Sequence, residues 1–164
     1  MEMAKTKLLI VTHEMSPFLE LTKISEITRQ LPQAMQEKGF EIRILMPKFG
    51  NINERRNRLH EVIRLSGMNI IIHDNDNPLI IKEASIPAAR MQVYFLDNEE
   101  YFQRTQIFRY ANEMFLEDND ERPLFFLKCD LETVKKVVWS PDFVYSHASI
   151  SDLVPAYFKT TYKH

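Results

Sequence analysis

The residues whose types could do chemistry are few and scattered. His13 and Glu14 follow the apolar run Lys7–Thr12. Tyr101 and Phe102 follow a second apolar run. Asp118 lies in the acidic stretch 117–121, and His147 closes the segment DFVYSH. Histidines and carboxylates placed just after strands stand where ligand sites of α/β proteins form, at the carboxyl ends of the strands. The three glycines, Gly39, Gly50 and Gly67, are far apart. A dinucleotide fingerprint and a P-loop both need clustered glycines, so neither is present. The single cysteine, Cys129, excludes an internal disulfide and a cysteine-based metal site, and its mid-helix place predicts a buried, inert thiol. Neighbouring carboxylates in 117–121 read as a solvated face rather than a cation site, so no metal is expected. Arg55, Arg56 and Arg58 read as a solvated loop. The net charge of −2 offers no attraction for nucleic acid or an anionic membrane.

The elements that must hold these residues follow from periodicity. Lys7–Thr12 is a buried strand, and Ile24, Ile27, Leu31, Ala34 and Met35 recur at helical spacing. Thr22 or Ser25 is the expected cap, Pro32 should kink or divide the helix, and Gly39 should end it. Residues 40–46 make a second strand, and strand, helix and strand form a βαβ unit. Residues 51–58 are polar and read as a loop. Arg64, 68–73, 79–82 and 91–96 are short strand candidates, separated by turn clusters at 66–67, 74–78 and 86–87. Residues 121–138 have helical periodicity with Pro123 in the first turn, where Asp118 could cap, and 142–146 is a further strand. Residues 152–162 read as the start of another helix. The fold class is therefore α/β, a Rossmann-like parallel sheet with an antiparallel β-meander inserted, in one domain over 1–164. A hydrophobic fraction of 45% and a charged fraction of 27% suit a globular domain. The opening MEMAKTK lacks the apolar core of a signal peptide, and no apolar run spans a membrane. A cytoplasmic location is the default expectation.

Several islands, in order, carry a resemblance. Residues 7–50 (KLLIVTHEMSPFLELTKISEITRQLPQAMQEKGFEIRILMPKFG) are similar to the opening of bacterial and plant glycogen/starch synthases. Those have a strand, a Glu-x-x-Pro-Phe segment, a Lys-Thr-Gly-Gly-Leu loop, a helix with Leu-Pro and a strand ending Pro-Lys/Arg-Tyr-Gly. Here Glu14, Pro17, Phe18, Leu31, Pro32, Gly39, Pro47, Lys48 and Gly50 stand in those places. The segments 93–104 (VYFLDNEEYFQR), 118–126 (DNDERPLFF) and 141–159 (PDFVYSHASISDLVPAYFK) resemble later family segments, the last one its Pro-Asp-(I/V)-(I/V)-His-x-His-Asp-Trp-His run.

The resemblance implies the N-terminal half of a two-domain GT-B glycosyltransferase. That half binds the growing α-1,4-glucan. A C-terminal domain, expected beyond residue 164 in a longer natural protein, binds ADP-glucose or UDP-glucose, and no metal or other cofactor is implied. Glu14, Tyr101, Asp118 and His147 match positions on the acceptor side. A carboxylate or tyrosine hydroxyl beside an aromatic surface suits sugar hydroxyls and ring faces.

The departures fall at the chemistry. Glu20 stands where the family has the lysine of its donor-diphosphate loop, and Thr22 and Lys23 replace the paired glycines. At about 4 Å and an effective dielectric near 20, unit charges interact by roughly 4 kcal/mol, so reversing the sign matters. Ile150 stands where the family has a histidine contacting the reacting sugar, and isoleucine makes no hydrogen bond. These replacements predict a glucosyltransferase-type domain that is catalytically degenerate, inactive alone and a poor binder of ADP-glucose. The alternative is a non-catalytic glucan-binding or regulatory scaffold with an active synthase as its protein partner.

Overall fold

The computed structural model describes residues 4–72, 74–86, 89, 91–102, 121–137 and 139–147. Strand β1 (Lys7–Thr12) leads into helix α1 (Ile24–Glu37) and strand β2 (Glu41–Pro47), which lies parallel to β1. This is the βαβ unit that the periodicity predicts. Pro32 does not divide α1, which is a single helix from Ile24 to Glu37 with the proline buried inside it. Lys23 occupies the cap position without a side-chain bond, in place of Thr22 or Ser25. The helix ends as expected: Gly39 has φ +96°, and Phe40 N–H donates back to the Met35 carbonyl (3.2 Å). A glycine is used there because a side chain disfavours positive φ.

A short strand β3 (His60–Glu61), β4 (Met68–Ile72) and the long β5 (Asn75–Ile86) follow, then β6 (Met91–Asp97). Two sequence expectations are corrected in this region. Arg64 lies in a turn, and the added strand is His60–Glu61. The polar stretch 75–78 is not a turn. It pairs with 69–72 in a hairpin, with Ile72 opposite Asn75 and Asp74 at φ +63°. The β-branched run of β4 provides the ladder, and Asn77 is buried with its amide donating to the Ile70 carbonyl (3.1 Å). Pro78 is tolerated because that half of β5 has a strand on one side only.

Helix α2 (Glu121–Lys136) then leads to β7 (Phe143–His147), parallel to β1 on its other side. The seven-stranded sheet has the order β3-β5-β6-β2-β1-β7, with β4 attached to β5. β7, β1, β2 and β6 are parallel and β3 and β5 antiparallel. The Rossmann-like sheet with an antiparallel addition is therefore as expected. The central strands β1 and β2 are nearly continuous apolar runs, as strands covered on both faces must be. Trp139 links α2 to the start of β2: its Nε1–H donates to Glu41 (2.9 Å), and the Arg43 guanidinium lies 5.1 Å from its ring centre. No helix among the described residues is long and apolar enough to cross a membrane. The helix expected at 152–162 lies outside the described residues.

Candidate functional site

The carboxyl ends of β1 and β7 lie side by side, Thr12 paired with His147. The loop 13–23 leaves from this edge. Thr12 starts it: its hydroxyl donates to the Glu14 carbonyl (2.8 Å) and accepts the Glu14 N–H (3.3 Å). Met15 and Leu19 form an isolated bridge that closes the loop, and Phe18 packs edge-on against Phe95, ring centres 5.0 Å apart.

Glu14 turns inward. Its side chain belongs to a residue with 0% exposure, and one carboxylate oxygen accepts the successive N–H groups of Leu21 (2.7 Å) and Thr22 (2.8 Å). The other accepts the Thr22 hydroxyl, which in turn accepts the Ile24 N–H (3.1 Å). The Thr28 hydroxyl donates to the Glu14 carbonyl (2.8 Å), so α1 is fastened to the same residue. Charge-assisted bonds of this kind are the stronger ones, which makes burying the carboxylate tolerable. Glu14 thus shapes the loop and presents no free face for a ligand here. Glu20 and Lys23 are exposed, while the Thr22 hydroxyl is held on Glu14.

Tyr101 is placed by Asn98, whose side-chain oxygen accepts the N–H groups of Glu100 (2.9 Å) and Tyr101 (3.0 Å). The ring is buried and stacked on Phe125, centres 4.2 Å apart and 12° between planes. Phe102 joins Phe49, Phe125 and Phe126 in the same aromatic cluster. Tyr101 therefore packs α2 against the turn after β6. The structure brings Glu14 and the backbone of His147 to one edge of the sheet. Asp118 and Ile150 lie outside the described residues.

A second feature escapes sequence inspection. Beyond the carboxyl ends of β2 and β6, a pocket of about 930 Å³ opens between the loop 48–55 and the β4–β5 hairpin. Lys82 on its wall bonds to Glu54 and to Asp97 (2.8 Å). Burial pulls the Lys82 ammonium pKa down, but Asp97 and Glu54 outweigh it and hold it above the usual value. The Lys82 bond holds the Glu54 carboxyl below its ordinary range. Lys48 is 3% exposed and donates to the Phe49 carbonyl (3.1 Å); burial lowers its pKa against the pull of Glu54 and Asp97. Lys82 and Asp97 are diagonal neighbours on adjacent strands, a relation that only the β5–β6 register reveals. No group of side chains among the described residues could hold a metal ion.

Comparison with known proteins agrees with this architecture. The family described as "Starch synthase catalytic domain" matches residues 7–164. Glycogen synthase of Chlorobium limicola is 40% identical over 157 residues, covering 95% of this chain and 32% of its own length. Glycogen synthases of Chlorobium luteolum and Chlorobaculum tepidum are 38% and 39% identical, over 96% of this chain and 32% and 33% of theirs. The chain thus spans about a third of the length of these curated relatives. The catalytic domain of starch synthase IV from Arabidopsis thaliana, solved with ADP and acarbose, has the same fold. Its TM-score is 0.80 at 18% identity, over 97% of this chain and 31% of that one. By sequence over almost its whole length, the chain belongs to the starch synthase catalytic-domain family of glycogen and starch synthases.

Proposed function

We propose that this chain is the acceptor-side domain of a glycogen/starch synthase-like protein, that it binds α-glucan, and that its donor loop no longer holds ADP-glucose well enough for transfer. The observation that carries this is the state of loop 20–23. Its adjacent Leu21 and Thr22 N–H groups, the kind of backbone pair that cradles a phosphate, are occupied by the Glu14 carboxylate. Glu20 and Lys23 are exposed beside them, and Thr22 is bonded to Glu14, where the resembling loop has lysine and glycines. An incoming diphosphate meets two carboxylates and no free amide pair. The resemblance supplies the rest of the reading: a donor domain further along the natural protein, and glucan as the partner of this half.

The test is thermal unfolding of the full-length natural protein with ADP-glucose and, separately, with maltoheptaose, alongside a transfer assay onto glycogen. A ligand that binds only the folded state stabilises it by about 2.7 kcal/mol at 100-fold over its Kd. Maltoheptaose is expected to raise the midpoint and ADP-glucose to leave it in place. Transfer of glucose from ADP-glucose to glycogen defeats the degenerate reading. Absence of any maltoheptaose shift defeats the glucan reading.

A further inference from the structure

The opposite edge of the sheet carries a second cavity, at the amino ends of β2 and β6 and away from the Glu14 loop. It holds about 420 Å³, within the range of ligand sites, roughly 300–1,000 Å³. Its polar lining comes from Gln36 at the end of α1, Glu41 and Arg43 on β2, Ser85 on β5, and Gln92 and Tyr94 on β6. Register explains why the strand residues converge. Side chains alternate across a strand and Ile44 pairs with Val93, so Glu41, Arg43, Gln92 and Tyr94 share one face of the sheet, with Ser85 opposite Gln92.

Two of these groups have unused donors. Tyr94 is 7% exposed, yet among the described residues its hydroxyl has no hydrogen-bond partner. A buried phenol usually has one. Arg43 rests its guanidinium on the Trp139 ring, but among the described residues none of its five N–H groups meets an acceptor and no carboxylate lies within salt-bridge distance. Glu41, two residues earlier on the strand, instead accepts the N–H of the same indole. A guanidinium stacked on an aromatic face is pre-organised, so little further freedom is lost when its edge takes a ligand.

The charge of the lining decides between ligand classes. Arg43 is its one cation and Glu41 its one anion. A phosphate dianion sets two charges against a single guanidinium, beside a carboxylate that repels it. A monocarboxylate sets one, and its two oxygens match the paired donors of the guanidinium fork. The Ser85 hydroxyl and the Gln36 and Gln92 amides are there for hydroxyl or amide groups on the rest of the molecule.

We propose that this cavity binds a small organic monocarboxylate, gripped through its oxygens by Arg43 and by a hydrogen bond from the Tyr94 hydroxyl. The site lies at the other end of the strands from the Glu14 loop and is independent of the glucan reading. The test is a ligand-observed NMR titration of the full-length natural protein with lactate, its uncharged amide lactamide and inorganic phosphate, in wild type, Arg43→Gln and Tyr94→Phe. Lactate is expected to bind wild type at least tenfold more tightly than lactamide. Arg43→Gln should weaken lactate about tenfold, and Tyr94→Phe about fivefold, as loss of one charged and one neutral hydrogen bond predicts. Tyr94→Phe removes a hydroxyl that holds nothing in the protein, so its unfolding midpoint should match wild type, and it decides alone if Arg43→Gln does not fold. Absence of lactate binding to wild type, or wild-type affinity in Tyr94→Phe, overturns the site. Lactamide that binds as well as lactate, or phosphate that binds more tightly, overturns the ligand class.

Discussion

Glu14 shows how one side chain can have a structural duty at a place that resembles a ligand contact. As a sequence feature it is a carboxylate just after a strand, equally suited to a sugar hydroxyl or to a turn. In the fold its two oxygens satisfy two main-chain N–H groups and one hydroxyl. Glu14→Ala leaves those N–H groups without an acceptor, and loss of stability by about 3 kcal/mol is expected in urea unfolding. Glu14→Gln keeps one acceptor oxygen and should lose less than half as much. Equal stability of the alanine variant and wild type would show that the loop is held by other contacts. The type of residue was legible in the sequence. Its direction was not, because inward and outward placements of Glu14 share the same local pattern and differ only in where loop 20–22 returns.

At the scale of elements, the parts read from periodicity were recovered where local signals agree with each other. β1, α1, β2, β6, α2 and β7 all lie within a few residues of the expected bounds. Gly39 is an example: the end of the apolar repeat and a glycine coincide, and the helix stops there. Its φ of +96° disfavours any side chain, although a Cβ meets no atom within 4 Å. Gly39→Ala should therefore cost about 1 kcal/mol by backbone strain alone, measured as a shift in the urea midpoint with the slope unchanged. Where local and tertiary signals conflict, tertiary pairing wins. Asn75, Asp76, Asn77 and Pro78 have turn chemistry, yet the isoleucines of β4 draw them into a ladder. Pro32 has breaker chemistry, yet it is accommodated inside α1. The pocket cluster was not legible at all, since Lys48, Glu54, Lys82 and Asp97 meet only once the register of β5 on β6 is fixed.

Across the whole molecule, stability should carry an unusual dependence on pH. Asp130 on α2 is fully buried, and among the described residues neither of its carboxyl oxygens has a hydrogen-bond partner. Burial pushes its pKa well above the usual aspartate value. Below that usual value, folded and unfolded chains both carry the proton. Above it the unfolded chain releases the proton and the folded chain keeps it, so stability falls as pH rises, by up to about 1.4 kcal/mol per pH unit, until the raised native pKa is passed. Glu54 has the opposite sign: its lowered pKa gives stability that is lost as pH falls below the ordinary glutamate range. Urea midpoints from about pH 4.5 to 7 should therefore decline for wild type and stay flatter for Asp130→Ala, which removes the unsatisfied carboxyl and should be the more stable protein at neutral pH. Parallel profiles for the two proteins would mean that Asp130 is ionised and solvated in the folded state.

Strand β5 belongs to two structures at once. Its first residues, 75–79, pair with β4 in the hairpin, and its last, 80–86, pair with β6 in the main sheet. The hairpin is thus a lever with its fulcrum in the sheet. One continuous strand joins the tip near Asp74 to Ile80, which pairs with Asp97. The Asn98 amide, bonded to the Pro78 carbonyl (2.9 Å), is a second strut between the arms. The hairpin and one wall of the pocket are thus parts of one strand, so a shift of either is expected to shift the other, which hydrogen exchange along residues 75–79 would report.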